Sequence, residues 1–278
     1  MQDVPTKYSG EAPRAGQDEI DASRAPLIDH LIELRQRLIH SLLAFFGLFV
    51  VCFFFAKPIY NILTWPFVRV VGEENAKMIA THFLEQLYTN IKLAMFGAAF
   101  LAFPYAAYQL YKFVAPGLYK SEREAFRPYL IATWGLFILG ALVVYFVVMP
   151  LLIQFSVEIT PQTSGQGHAA IELLPKISEY LSLIMQLIIG FGIIFQLPVV
   201  VTLLGRAGVV TSESLVSFRR FAIFGIACVA AVLSPPDPFS MLAMMAPTVL
   251  LYEASIYVVR RLEKSGVTGT ANAPATKP

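Results

Sequence analysis

The sequence predicts an all-α membrane protein with six transmembrane helices, both termini in the cytoplasm, and short fifth and sixth spans. Three observations predict it. Of the 278 residues, 56% are apolar and only 14% charged, where soluble domains carry about a quarter charged residues. The apolar residues gather into long runs separated by short charged or Pro/Gly-containing connections, the pattern of repeated membrane crossings. Across six such runs, 16 lysines and arginines fall on one side and 5 on the other, a positive-inside bias that places both ends in the cytoplasm.

Residues 1–24 are polar, with no apolar stretch of signal-peptide type, and read as a disordered cytoplasmic tail. Pro26 suits a first helical turn, where its missing N–H costs nothing. The helix it opens carries Leu27, Leu31, Leu34 and Leu38 on one stripe, with Glu33 and Arg37 one turn apart and able to pair. The first span follows at about 38–56 and ends at Lys57-Pro58. Residues 57–90 form a mixed loop suited to short surface helices, with Tyr60 and Trp65 fitted to the membrane interface. The second span, about 91–111, contains Pro104, which predicts a kink. A charged loop, 112–127, leads to a third span at about 129–153.

The fourth span, about 181–204, holds Gly190, Gly192, Gln196 and Pro198, and Thr211 to Ser214 reads as a helix cap. Only 13 apolar residues, Phe221 to Leu233, make up the fifth. That is short for a bilayer and has to be met by local thinning or by oligomer contacts. If it did not cross, Arg260-Arg261 would face outward, against the charge bias. The sixth, about 239–259, contains Pro247 and Glu253. The spanning domain therefore occupies 25–263, with a second cytoplasmic tail at 264–278.

Catalytic chemistry finds little support. No Gly-rich phosphate loop ends in Lys-Ser/Thr, so the chain carries no nucleotide-hydrolysing motif. His30 and Glu33 are one turn apart, but four scattered histidines do not build a metal cage. Cys52 and Cys228 both lie inside apolar runs and read as small packing residues. No enzyme activity, cofactor, metal or nucleic acid is expected. Mid-membrane positions are almost free of ionisable groups, against an ion pump or ion-coupled carrier. Gln196 is the deep polar side chain, and its amide needs a partner from another helix or a wet cavity. Glu85 with Lys92 reads as an ion pair at the outer edge, and Glu253 either as a snorkelling carboxylate or as a partner for Arg220 or Arg260. Glu33, Glu122 and Glu124 stand among cations at the cytoplasmic edge. They read either as interfacial charges beside snorkelling arginines or as carboxylates that receive a guanidinium ligand in bidentate fashion.

Five separated motifs add a resemblance. His30-Leu-Ile-Glu-Leu-Arg-Gln-Arg-Leu38, Phe113-Val-Ala-Pro-Gly-Leu-Tyr-Lys-Ser-Glu122, Tyr145-Phe-Val-Val-Met-Pro150, Phe191-Gly-Ile-Ile-Phe-Gln-Leu-Pro198 and Ser234-Pro-Pro-Asp-Pro-Phe239 occur in this order. The chain thereby resembles the TatC family, the multi-spanning subunit of the twin-arginine protein translocase, over roughly 25–263. The resemblance implies a curved, glove-like wall of six kinked helices in the bacterial inner membrane. It implies binding of Arg-Arg signal peptides, with Glu33 and Glu122 receiving the arginines and Arg35, Arg37, Phe113, Pro116, Leu118 and Tyr119 shaping the surface. Gln196, Pro66, Tyr145 and Asp237 match positions tied to partners or transport; many relatives carry Glu where this chain has Gln196. The implied partners are TatA-like and TatB-like single-span proteins, folded cargo, membrane lipid and further copies of the chain, driven by the proton-motive force. A secondary carrier would need a mid-membrane substrate site and a repeat between halves. An intramembrane enzyme would need a nucleophile–base or metal constellation. Neither set of features is evident.

Overall fold

The computed structural model describes residues 15–114, 126–159, 174–234 and 238–264. Among these the chain is helical almost throughout: α1 (Ala15–Phe54), α2 (Ala56–Val71), α3 (Glu85–Val114), α4 (Phe126–Val143), a π-helical turn (Val144–Val148), α5 (Met149–Ile159), α6 (Ile177–Ile194), α7 (Leu197–Arg206), α8 (Ser212–Ser217), α9 (Arg219–Leu233) and α10 (Pro238–Lys264). Five stretches are long and apolar enough to cross a membrane: His30–Phe54, Glu85–Phe113, Tyr129–Ile159, Ile177–Arg206 and Ser240–Lys264. The fifth expected crossing, α9, has 15 residues. At 1.5 Å per residue it reaches only about 22 Å of a hydrocarbon core roughly 30 Å thick.

Several expectations need correction. The sixth span is not short: α10 runs 27 residues, with Pro247 accommodated inside it. Helix α1 starts at Ala15, so residues 15–24, assigned above to a polar tail, are helical. The loop after the first span does hold a helix, as expected: α2 takes up its first part, with Pro66 buried in its interior. The third crossing is interrupted by the π turn, which the sequence pattern did not announce. The fourth breaks at Phe195-Gln196, where Pro198 lacks the N–H for a continuous ladder. Thr211 and Ser214 close a reciprocal capping box on α8, as their spacing predicts.

Packing runs α1 on α3, α4 on α6, α3 on α6, and α7 and α9 on α10. Phe137, Phe191, Leu93, Met149, Leu181, Ile184 and Leu187 are among the side chains fully removed from the surface. The leucine stripe of α1 behaves oppositely to a soluble helix: Leu31 and Leu38 are 63% and 64% exposed, while Glu33 and Arg37 are more covered. In a bilayer the apolar stripe is the solvent-facing one, and the polar face turns toward protein. Cys52 is in the core, whereas Cys228 lies on the exposed face of α9, and the two are not joined.

At the end of the bundle opposite His30, the loop before α3 is fastened to the start of α6. Ile79 forms a short parallel bridge with Lys176, through Ile79 N–H to Pro175 O (3.1 Å) and Ile177 N–H to Ile79 O (3.1 Å). Glu85 strengthens the clasp by accepting from the Ser178 hydroxyl at 2.6 Å and the Thr81 N–H at 2.6 Å. The expected Glu85–Lys92 ion pair does not form; Lys92 instead donates to the Ser182 hydroxyl at 3.2 Å. Glu253 pairs with Arg219, not with Arg220 or Arg260, through Nε to Oε1 at 2.7 Å and Nη2 to Oε2 at 2.8 Å. Helical phase decides this choice, because Arg219 and not its neighbour points from α9 toward α10.

Candidate functional site: a carboxylate at the end of the first span

Glu33 and Arg37 are four residues apart on α1, so their side chains meet over one turn. Arg37 donates Nε to Glu33 Oε1 at 3.0 Å and Nη2 to the same oxygen. Its third nitrogen, Nη1, reaches Gln109 Oε1 on α3 at 3.3 Å. The second carboxylate oxygen, Oε2, faces His30 Nδ1 at 3.9 Å, beyond hydrogen-bond length. The Glu33 side chain is 32% exposed. One oxygen is thus committed to an internal guanidinium, and the other keeps its acceptor capacity toward the membrane edge.

His30 lies flat on Phe113, with ring centroids 4.1 Å apart and planes 13° from parallel. This contact brings the first motif against the start of the second, which continues from Phe113. Arg35 is exposed. Glu122, Pro116, Leu118 and Tyr119 lie outside the described residues, as does Asp237. His30 and Gln109 were not among the expected site residues. His30 opens the first motif and Gln109 stands one turn before the second, and single-helix spacing does not show that the two helices meet there. Among the described residues no group of His, Cys, Asp and Glu is placed to hold a metal ion.

A second polar locus lies between α4 and the α6–α7 break. The Gln196 amide donates to Thr133 O at 3.0 Å and to Gly192 O at 3.2 Å. Its Oε1 is buried and accepts from nothing among the described residues. Thr133 Oγ1 in turn shares a 2.8 Å hydrogen bond with the Tyr111 hydroxyl. Tyr111 is two residues from Phe113, so the last turn of α3 touches both loci. On the far side, the Tyr145 hydroxyl donates to Ile62 O at 2.7 Å, fixing the π turn to α2.

Comparison with known proteins identifies the family. The family model described as Sec-independent protein translocase protein (TatC) matches residues 29–247. The TatC of Magnetococcus marinus is 42% identical over 241 residues, covering 87% of this chain and 86% of that one. The TatC of Aquifex aeolicus is 37% identical over 235 residues, covering 84% and 94%, and that of Escherichia coli 34% identical over 235 residues, covering 84% and 88%. A crystal structure described as the twin arginine translocase receptor TatC superposes with a TM-score of 0.73 at 35% identity, over 84% of this chain and 99% of that one. A second, crystallised in DDM, gives 0.73 at 36% identity. The all-helical membrane fold, the five motifs in order and the span of these matches agree: the chain belongs to the TatC family of Sec-independent protein translocase components, which are not enzymes.

Proposed function

We propose that the chain is the signal-peptide receptor and assembly core of a twin-arginine translocase in a bacterial inner membrane, with both termini cytoplasmic. The observation that carries this reading is Glu33. It is a half-covered carboxylate at a membrane boundary, with one oxygen held by Arg37 and one left open. An arriving guanidinium binds the open oxygen, and a bidentate ligand displaces Arg37 toward Gln109, which already accepts from it. A lysine ammonium has no planar fork and makes a single-point contact, so the site favours arginine over lysine. Glu122 supplies the second carboxylate for a paired arginine, and Arg35, Arg37, Phe113, Pro116, Leu118 and Tyr119 frame the surface.

The positive-inside asymmetry supports this orientation, because it puts Glu33 on the side where unexported cargo is made. Gln196 supports a role in assembly: its partly exposed side chain stands at the α6–α7 break, where the transmembrane helix of a TatA-like or TatB-like partner can pack. The short α9 favours a locally thinned bilayer near α10. Pro66, Tyr145 and Asp237 are assigned to transport through the same family pattern. Energy enters from the proton-motive force acting on the assembly.

The test is binding of an Arg-Arg signal peptide and its Lys-Lys twin to the purified chain, its Glu33→Gln and Glu122→Gln variants, and Glu124→Gln. Arg-Arg binding that is lost at the first two sites and kept at the third is the expected result. Equal loss at all three means a diffuse acidic surface, and no loss at any reduces these glutamates to interfacial charges.

A further inference from the structure

A lateral groove of about 440 Å³ runs from the middle of α3 toward the end of α1 away from Glu33, between α1, α2, α3, α4, the π turn and α6. Ile62, Phe96, Phe100, Leu142, Tyr145 and Phe146 are among its walls. The polar atom among these side chains, the Tyr145 hydroxyl, is already spent on Ile62 O. Ile62, Leu142 and Phe146 are each close to half exposed, so the groove opens sideways into the hydrocarbon layer. The π turn shapes its outer wall: the extra residue in that turn sets two successive aromatic rings, Tyr145 and Phe146, against one partner. That partner is Trp65, stacked on Tyr145 at 5.8 Å and 3° and edge-on to Phe146 at 6.1 Å.

Along α2, Ile62, Trp65 and Arg69 follow at spacings of three and four and so share one face. This face runs from the apolar groove through an interfacial aromatic to a cation. The Arg69 guanidinium sits 5.0 Å above the Trp65 ring, is exposed, and forms no ion pair among the described residues, although Glu73 and Glu74 follow α2 directly. An apolar slot topped by an aromatic belt and an unneutralised cation complements an acyl chain beneath a negatively charged head group. A partner helix fits less well. It is about 10 Å across and fills this volume in roughly every 6 Å of its length.

We propose that the groove and Arg69 bind one anionic phospholipid of the leaflet on the α2 side, with an acyl chain against Phe96, Phe100 and Leu142 and the phosphate on the Arg69 guanidinium. The bound lipid fills the gap under α2 and holds that helix against the π turn. This site is separate from the Glu33 locus and does not depend on its function.

The chain has two tryptophans, Trp65 and Trp134, which makes the test direct. The Trp134→Phe variant is placed in phosphatidylcholine vesicles containing a minor share of brominated phosphatidylglycerol or, in parallel, of brominated phosphatidylcholine. Expected is stronger quenching of Trp65 by the anionic lipid, equivalent to about a fivefold local enrichment. Arg69→Gln removes that preference while both lipids still quench, and Arg69→Lys keeps it. Signal-peptide binding is measured on the same samples and is expected to be unchanged, which confirms folding and keeps this result distinct from the receptor reading. Equal quenching by both lipids in the Arg69 chain overturns the proposal. So does a preference that survives Arg69→Gln, or a Trp65 shielded from both lipids by a second copy or another helix.

Discussion

His30 and Phe113 are stacked at 4.1 Å, and this contact, beside the Arg37–Gln109 hydrogen bond, joins the entrance of the first span to the exit of the second. It brings the turn that carries Glu33 to Phe113, 80 residues later in the chain. Parallel ring contact of this kind contributes about 0.5–1.5 kcal/mol beyond area burial. Phe113→Ala should therefore weaken Arg-Arg peptide binding about threefold to tenfold while leaving Tm nearly unchanged, and Phe113→Tyr should retain binding. Titration of a fluorescent signal peptide against each variant, with thermal unfolding in parallel, checks it. Unchanged affinity in Phe113→Ala would make the stack a packing contact with no share in recognition.

Glu85 holds the opposite end. Its carboxylate collects the Ser178 hydroxyl, the Thr81 N–H and the His82 N–H, and the residue is 6% exposed. Removing an acceptor that serves several covered donors leaves them all unpaired. Glu85→Ala should lower Tm and open the segment 72–84 to protease, and Glu85→Gln should do so less. Peptide binding at Glu33 should be unaffected, since the two sites lie at opposite ends of α3. Limited proteolysis with mass-spectrometric mapping reads the first effect directly.

These two ends differ in how much the sequence revealed. The Glu33–Arg37 pair and the Thr211–Ser214 capping box follow from local spacing, and both form as spacing predicts. The break near Gln196 follows from Pro198. Contacts that depend on helical phase across two elements were not legible. The sequence offers Glu253 the partners Arg220 or Arg260, but the relative rotation of α9 and α10 selects Arg219. Lys92 and Glu85 are neighbours in charge and sequence, yet each finds a hydroxyl on α6 instead. The leucine stripe of α1 was legible as a stripe, and its direction only as a consequence of the solvent. The π turn has no residue signature here; its two rings, Tyr145 and Phe146, meet Trp65 on a different helix, a contact that local spacing does not show.

Gln196 gives a prediction about transport separate from recognition. Its amide ties the α6–α7 break to α4 through Thr133 O and to the preceding turn of α6 through Gly192 O. Replacing it with leucine should cost about 1–2 kcal/mol of stability, leave Arg-Arg peptide binding intact, and impair export or assembly of the translocase. A complementation assay for export, run beside peptide binding, separates the two. Normal export in Gln196→Leu would confine this amide to packing.

The same junction limits what can be placed at Gly192. A Cβ there would meet Phe137 Cε2 at 2.4 Å and Cδ2 at 2.6 Å. Phe137 cannot yield easily, because it is 1% exposed and stacked on Phe103 at 3.8 Å. Overpacking a filled core costs about 1–3 kcal/mol, so Gly192→Ala should lower Tm clearly and disturb Gln196, whose amide donates to Gly192 O. Gly47, in the middle of α1, has nothing within 4 Å of its added Cβ. There alanine only restores helix propensity, worth up to about 1 kcal/mol, and Gly47→Ala should leave Tm level or raised. Thermal unfolding of both variants in one detergent decides the matter. A Gly192→Ala chain as stable as Gly47→Ala would mean that Phe137 and Phe103 move together, and that the α4–α6 contact is softer than its packing implies.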